Sequence, residues 1–177
     1  MAFFVFFFRL CVLAILPIHC MADTSNPSDA VLLVVEVPDK LSGKPSHIQF
    51  TMDDLRKMPK VGFETETIWF TGAQHFAGVP LVALMKAIGV TEGTLTVTAA
   101  DGYSVDIEMS HAAEFGTIIA YNRNGEPMTV RRKGPLRLVY DYDEFPPLVR
   151  DNLYSHTVWQ ITRIEVASDD SLTGVLR

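Results

Sequence analysis

The sequence predicts a single α+β domain with a β-rich core built on a mixed sheet and with two or three short helices. Apolar and β-branched residues form short runs that either alternate with polar residues or are wholly apolar, as strands do. Turn pairs such as Asp101-Gly102 and Asn124-Gly125 separate these runs. A length of 177 residues suits one domain, and 48% apolar with 20% charged residues is typical of a folded globule.

The first two strands and the first helix are predicted close together in the chain. The apolar run Ala30–Val37 reads as a buried strand, and a second strand follows at His47–Phe50. Thr51 is placed to cap a helix, since Asp54 supplies a carboxylate three residues further on, and Pro59 ends that helix. We therefore expect a short helix at the edge of a sheet.

A second helix and a hairpin are predicted in the middle of the chain. Pro80 can occupy the first helical position and Gly89 can end the helix, and apolar residues recur between them at helical spacing: Leu81, Leu84, Met85 and Ile88. Residues 94–108 alternate between apolar and polar on both sides of Asp101-Gly102, which is the strongest hairpin signal in the sequence. Further strands are predicted at 117–121, 136–140 and 158–166.

The N-terminus has the pattern of a secretory signal. One cation, Arg9, precedes the apolar run Leu10–Ile18, and small residues allow cleavage after Ala22. An uncleaved membrane anchor is the alternative, because Ala2–Ala22 is just long enough to span a bilayer. We expect a signal at 1–22, a polar linker at 23–29, the domain at 30–170 and a tail at 171–177.

Removal of the signal decides the cysteine chemistry and lowers the charge. Cys11 and Cys20 both lie in the predicted signal, so the secreted domain would have no disulfide, thiol nucleophile or thiolate ligand. Loss of Arg9 changes the formal net charge from -6 to -7. Such an acidic domain is a poor polyanion binder, and no nucleic-acid partner is expected.

Local motifs for metal, nucleophilic or nucleotide chemistry are not found in the sequence. The remaining histidines are too far apart for a local metal motif: His47, His75, His111 and His156. There is no Gly-x-Ser-x-Gly elbow and no glycine-rich phosphate loop.

Three segments are candidates for ligand binding. Trp69–Leu81 is an aromatic-rich loop before a helix N-terminus and suits a planar, polar heterocycle, although its rings could equally belong to the core. Arg131-Arg132-Lys133 could hold a phosphate or carboxylate, or could be a solvated loop. In Tyr140–Phe145, carboxylates alternate with rings, which suits the amino edge of a pterin or guanine or simply an acidic surface.

Taken in order, several segments resemble the molybdopterin-binding domain of the sulfite oxidase fold, from about Ala30 to Val166. The matching segments are Phe50–Leu55 with Pro59, Phe76–Leu81 with Leu84 and Gly89, Asp101–Val105, Ala120-Tyr121, Asn124–Met128, Gly134–Val139 and Trp159–Val166. The resemblance implies a mixed α+β fold in which loops line a cleft for the pterin of the molybdenum cofactor.

The resemblance also indicates a ligand-binding protein rather than an oxidase. Catalytic members hold molybdenum partly through a cysteine supplied ahead of the Gly-Val-Pro-Leu helix, and the corresponding segment here, Ile68–Phe76, contains none. Because no other side chain here reproduces a soft thiolate, a pterin is expected and the molybdenum cofactor is not. Small secreted members without the cysteine are similar to periplasmic pterin-binding proteins that work with a membrane-bound enzyme of cyclic di-GMP metabolism.

We therefore predict a periplasmic pterin-binding sensor or carrier whose partner is the periplasmic part of an inner-membrane signalling protein. The predicted contacts are stacking by Trp69 and Phe76, polar contacts by His75 and Arg137, the pterin amino edge by Asp141, and any anionic tail by Arg131 and Arg132. Two alternatives stay open: an oxidoreductase subunit that binds the complete molybdenum cofactor, and a ligand-free protein-interaction module.

Overall fold

The computed structural model describes residues 30–39, 41 and 43–167. The predicted signal, linker and tail lie outside these residues. Ten strands form two five-stranded sheets within the described chain. The strands are β1 (Val31–Val37), β2 (Ser46–Thr51), β3 (Val61–Thr65), β4 (Gln74–Pro80), β5 (Thr94–Ala99), β6 (Ser104–Glu108), β7 (Ile118–Arg123), β8 (Glu126–Pro127), β9 (Arg137–Val139) and β10 (Ile161–Val166).

The first sheet is mixed and the second is antiparallel. The first has the order β2-β1-β10-β5-β6, and β10 runs parallel to β1 but antiparallel to β5. The second has the order β3-β4-β7-β8, with β9 also pairing with β7. The predicted α+β fold with a mixed, β-rich core is thus confirmed. Each strand predicted from the sequence is present, and no strand end differs from its prediction by more than three residues.

Four short α-helices connect the strands, where two or three were predicted: α1 (Met52–Lys57), α2 (Leu81–Ala87), α3 (Met109–Glu114) and α4 (Pro147–Ser155). The predicted cap of α1 is confirmed, since the Thr51 hydroxyl accepts the Asp54 N–H at 3.2 Å and the Asp54 carboxylate accepts the Thr51 N–H at 3.1 Å. Gly89 follows α2 at a φ of 85°, as expected of a residue that ends a helix. Pro80 lies at the N-cap rather than at the first helical position.

The segment Trp69–Leu81 was predicted as a loop, and that prediction is wrong for its second half. Residues 74–80 form β4, which pairs with β3 on one side and β7 on the other. Gly78 is needed there because a Cβ at this position would lie 2.0 Å from the Ile119 carbonyl oxygen. The close approach of β4 to β7 thus requires a glycine, the residue that weakens a strand pattern in the sequence.

The core is one cluster of buried apolar side chains contributed by both sheets and by all four α-helices. Examples are Leu33, Leu55, Leu84, Ala112, Leu138 and Leu153. Arg137 is among the largest fully buried side chains, and it is the charged member of that group. No helix in the described ranges is long and apolar enough to cross a membrane.

Candidate functional site

Arg137 lies at the centre of a ring of aromatic side chains. It begins β9, where it pairs with Ala120 of β7 and forms an isolated bridge with Trp159. Its side chain is 0% exposed. The guanidinium carbon is 4.7 Å from the ring centroid of Trp69, 5.2 Å from Phe70, 5.6 Å from Phe76 and 5.9 Å from Trp159. We call Arg137 and these four residues the Arg137 cluster.

The Arg137 guanidinium is buried without hydrogen-bond partners. Within the described residues, none of its Nε, Nη1 and Nη2 atoms has an acceptor. Burial lowers the pKa of Arg137 to about 10, the Tyr142 phenol acts in the opposite direction, and Arg123 adds to the decrease. An unpaired buried charge is costly, and stacking on rings satisfies no N–H donor. The cluster therefore suits a ligand that brings acceptor atoms to a planar, aromatic site.

Two further cations lie over rings of the same cluster. The Arg123 guanidinium carbon is 3.9 Å from the Phe70 centroid, and the Lys133 Nζ is 3.6 Å from the Trp159 centroid. Burial lowers the pKa of both groups, and Arg132 and Arg137 respectively lower them further. Three cations thus surround one set of rings, which is an arrangement that favours an anionic or acceptor-rich ligand.

A cavity of about 320 Å³ adjoins the cluster and shares Trp69 and Trp159 with it, its remaining lining coming from Ala99, Asp101, Tyr103, Tyr154 and Thr157. Trp69 meets Trp159 edge-on at 5.8 Å and Tyr154 edge-on at 5.4 Å between centroids. This volume is within the range of small-molecule sites. We call it the Asp101 cavity, after the charged residue in its lining.

The structure brings together only part of the predicted site. Trp69, Phe76 and Arg137 meet in the Arg137 cluster. His75 is exposed, and as the neighbour of Phe76 in β4 it faces the opposite side of the sheet. The His75 N–H donates to the Asn124 side chain at 2.9 Å.

The remaining predicted residues, Arg131, Arg132 and Asp141, are not members of the Arg137 cluster. Arg131 and Arg132 are exposed in a short 3-10 turn, Val130–Arg132. Asp141 is half-buried, and burial raises the pKa of its carboxyl group, with the nearby acidic groups of Glu144 and Asp143 raising it further. The roles predicted for these residues stay predictions.

Sequence reasoning missed several residues of the site. Phe70 and Lys133 stood inside candidate segments but were not among the residues predicted to contact the ligand, although both contribute ring or cation contacts. Trp159, the second of the two tryptophans in the chain, closes both the cluster and the cavity. The sequence feature that could have indicated Trp159 is an aromatic residue shortly before a strand. Tyr154 had no usable signal, because α4 itself was not predicted.

Comparison with known families identifies the domain. Residues 35–142 match the family described as "Oxidoreductase molybdopterin binding domain". The chain belongs to this family. The resemblance proposed from the sequence is thereby confirmed, and the domain is of the molybdopterin-binding oxidoreductase type.

Solved structures support the same fold. The chain is similar to the sulfane dehydrogenase SoxCD from Paracoccus pantotrophus, with a TM-score of 0.57 and 18% sequence identity. The match covers 79% of this chain but 38% of the SoxCD chain. At this identity the similarity shows the fold alone. No curated protein matches the chain.

The family implies a molybdopterin cofactor, and the side chains present fit its organic part better than its metal. The unpaired Arg137 donors and the surrounding rings suit a pterin with its polar substituents. The segment Ile68–Phe76 offers no thiolate. Among the described residues, no three His, Cys, Asp or Glu side chains come together as a metal site. The segment Ile68–Phe76 therefore cannot supply a protein thiolate to a metal.

Proposed function

We propose that this chain is a periplasmic pterin-binding protein that acts as a sensor or carrier. The observation that carries the proposal is the fully buried Arg137 guanidinium, which has no acceptor among the described residues and lies within 6 Å of four ring centroids. A pterin is planar and carries carbonyl and ring-nitrogen acceptors, so it can stack on the rings and accept from the guanidinium. Family membership supports the choice of a pterin among planar ligands.

The other cations fit the substituent of such a ligand. Lys133 and Arg123 border the cluster, and the exposed Arg132 interacts electrostatically with Arg123. A phosphate or polyhydroxyl side chain leaving the cluster on this side would meet charge-assisted donors, with Arg131 and Arg132 outermost.

The proposed role is regulatory. Such a role needs only ligand binding and no chemical step. A ligand acts on a partner when the bound and free forms differ in their affinity for that partner. The proposed partner is the periplasmic part of an inner-membrane protein of cyclic di-GMP signalling. Its support is the predicted secretory signal together with the sequence resemblance. The test is the cellular cyclic di-GMP level in a deletion strain complemented with the wild-type chain or with Arg137→Met, which we expect to differ.

Ligand binding is tested on the protein as it is secreted. The full chain is expressed with its own signal, and the purified protein is assayed for molybdenum and, after denaturation, for pterin fluorescence. We expect pterin without molybdenum, and loss of the pterin in Arg137→Met. Arg163→Met, the same substitution on a half-exposed position of β10, should retain it. Equal pterin content in both variants would contradict the site.

A second candidate is an oxidoreductase subunit that binds the complete molybdenum cofactor. The family description and the dehydrogenase identity of SoxCD favour it. The same assay separates the two functions, because near-stoichiometric molybdenum in the purified protein would favour the oxidoreductase and overturn the sensor.

A further inference from the structure

The Asp101 cavity has an acceptor where the Arg137 cluster has donors. Of the residues that line it, Asp101 is the charged one, and four others are aromatic: Trp69, Tyr103, Tyr154 and Trp159. Trp69 and Trp159 belong both to the lining of the cavity and to the Arg137 cluster, so the cavity adjoins the cluster through these two rings.

The carboxylate of Asp101 is held in place by the hairpin turn. Asp101 Oδ1 accepts the Tyr103 N–H at 3.0 Å, and Gly102 between them has a φ of 88°. The Tyr103 hydroxyl donates to the Ser155 carbonyl at 2.8 Å, which ties the turn to the end of α4. An ionised carboxylate has several acceptor positions, so one bond to the turn leaves capacity for a ligand.

We propose that Asp101, rather than Asp141, accepts the amino edge of the bound pterin, and that it makes the site selective for heterocycles bearing an amino group. The inference rests on the proposed pterin-binding function. The pyrimidine ring of a pterin presents an amino group and a neighbouring ring N–H on one edge and a carbonyl oxygen on another. The amino group and the ring N–H match the acceptor that Asp101 contributes to the cavity lining.

The expected selectivity depends on which group of a related heterocycle would lie beside the Asp101 carboxylate. Lumazine has the same bicyclic ring as pterin but carries a carbonyl in place of the amino group. That carbonyl would face the Asp101 carboxylate, so two acceptors would be opposed without a proton between them. Asp101 is exposed in the ligand-free chain. A bound heterocycle would shield its carboxylate from water, so an analogue that lacks the donor would leave this carboxylate without a hydrogen bond from the ligand.

The test compares pterin and lumazine binding to the wild-type protein, Asp101→Asn and Asp141→Asn, by quenching of intrinsic tryptophan fluorescence. We expect the wild type to bind pterin about tenfold or more tightly than lumazine, as loss of a charge-assisted pair predicts. Asp101→Asn should lose most of this preference through weaker pterin binding. Asp141→Asn should keep it. The amide introduced by Asp101→Asn retains an oxygen for the Tyr103 N–H, so the turn is preserved, and thermal unfolding verifies this.

The outcomes distinguish failure of the proposed Asp101 role from failure of pterin binding itself. Pterin preference retained in Asp101→Asn, or lost in Asp141→Asn alone, would overturn the role of Asp101 while pterin binding itself stands. A ligand-free wild-type protein that binds neither compound would overturn the proposed function and this inference with it.

Discussion

Replacing Arg137 by methionine should stabilise the ligand-free protein. The fall in the Arg137 pKa from its usual value to about 10 corresponds to about 3 kcal/mol by which the folded environment disfavours the charge. Cation–π contacts with the surrounding rings offset about 1–2 kcal/mol of this cost. Methionine is unbranched and packs well against aromatic rings. We therefore expect Arg137→Met to be more stable than the wild type by about 1–2 kcal/mol.

The measurement is urea unfolding of ligand-free protein, followed by circular dichroism, with Arg163→Met as the matched control. Arg163 is half-exposed and forms ion pairs with Glu36 and Glu165, so its replacement should change the stability by less than about 1 kcal/mol. Added pterin should reverse the order. At about 100 times its Kd, a ligand raises the stability of the form that binds it by about 2.7 kcal/mol.

One result would refute this reasoning directly. If ligand-free Arg137→Met were less stable than the wild type by about 2 kcal/mol or more, the guanidinium would have to form stabilising hydrogen bonds in the free protein. The buried charge would then be a structural element, and the case for a ligand-binding cluster would lose its main support.

Three other substitutions test two features of the fold and the pKa of His111. Thr51→Ala removes the cap of α1 and should cost about 1 kcal/mol in urea unfolding. Gly78→Ala would place a Cβ 2.0 Å from the Ile119 carbonyl oxygen and should cost more than about 3 kcal/mol or prevent soluble expression. Burial, and secondarily His156, lowers the pKa of His111, so its contribution to stability is present above about pH 6.5 and lost as the pH falls through its folded pKa. His156→Gln should raise the His111 pKa in an NMR titration.

The strands and the first two helices were predictable because their signals are local. The Thr51 cap, the Gly89 stop and the alternation on both sides of Asp101-Gly102 each depend on a few neighbouring residues, and each is present in the structure. α3 begins directly after β6 with no capping side chain. α4 begins at the second residue of the pair Pro146-Pro147, also without a capping side chain. Local patterns therefore indicated neither helix.

The site was predictable only in part because it is assembled from distant segments. Trp69, Phe76 and Arg137 could be proposed from aromatic content and from the family resemblance. The convergence of Lys133 and Trp159 on that group depends on how β9 and the chain before β10 meet, which no local pattern contains. His75 and Phe76 lie on opposite faces of the sheet because both belong to β4. The sequence did not predict this strand, since Gly78 interrupts its strand pattern.

The position of β10 in the first sheet determines the order in which parts of the protein fold during synthesis. This strand lies between β1 and β5 in the first sheet, so β1–β2 and β5–β6 are separate hairpins until residues 161–166 have been synthesised. Pairing between segments so distant in the chain forms late during folding. Trp159 precedes β10 and is positioned with it. The nascent chain therefore lacks a complete aromatic wall, and binding of the proposed ligand would have to follow the synthesis of the whole domain.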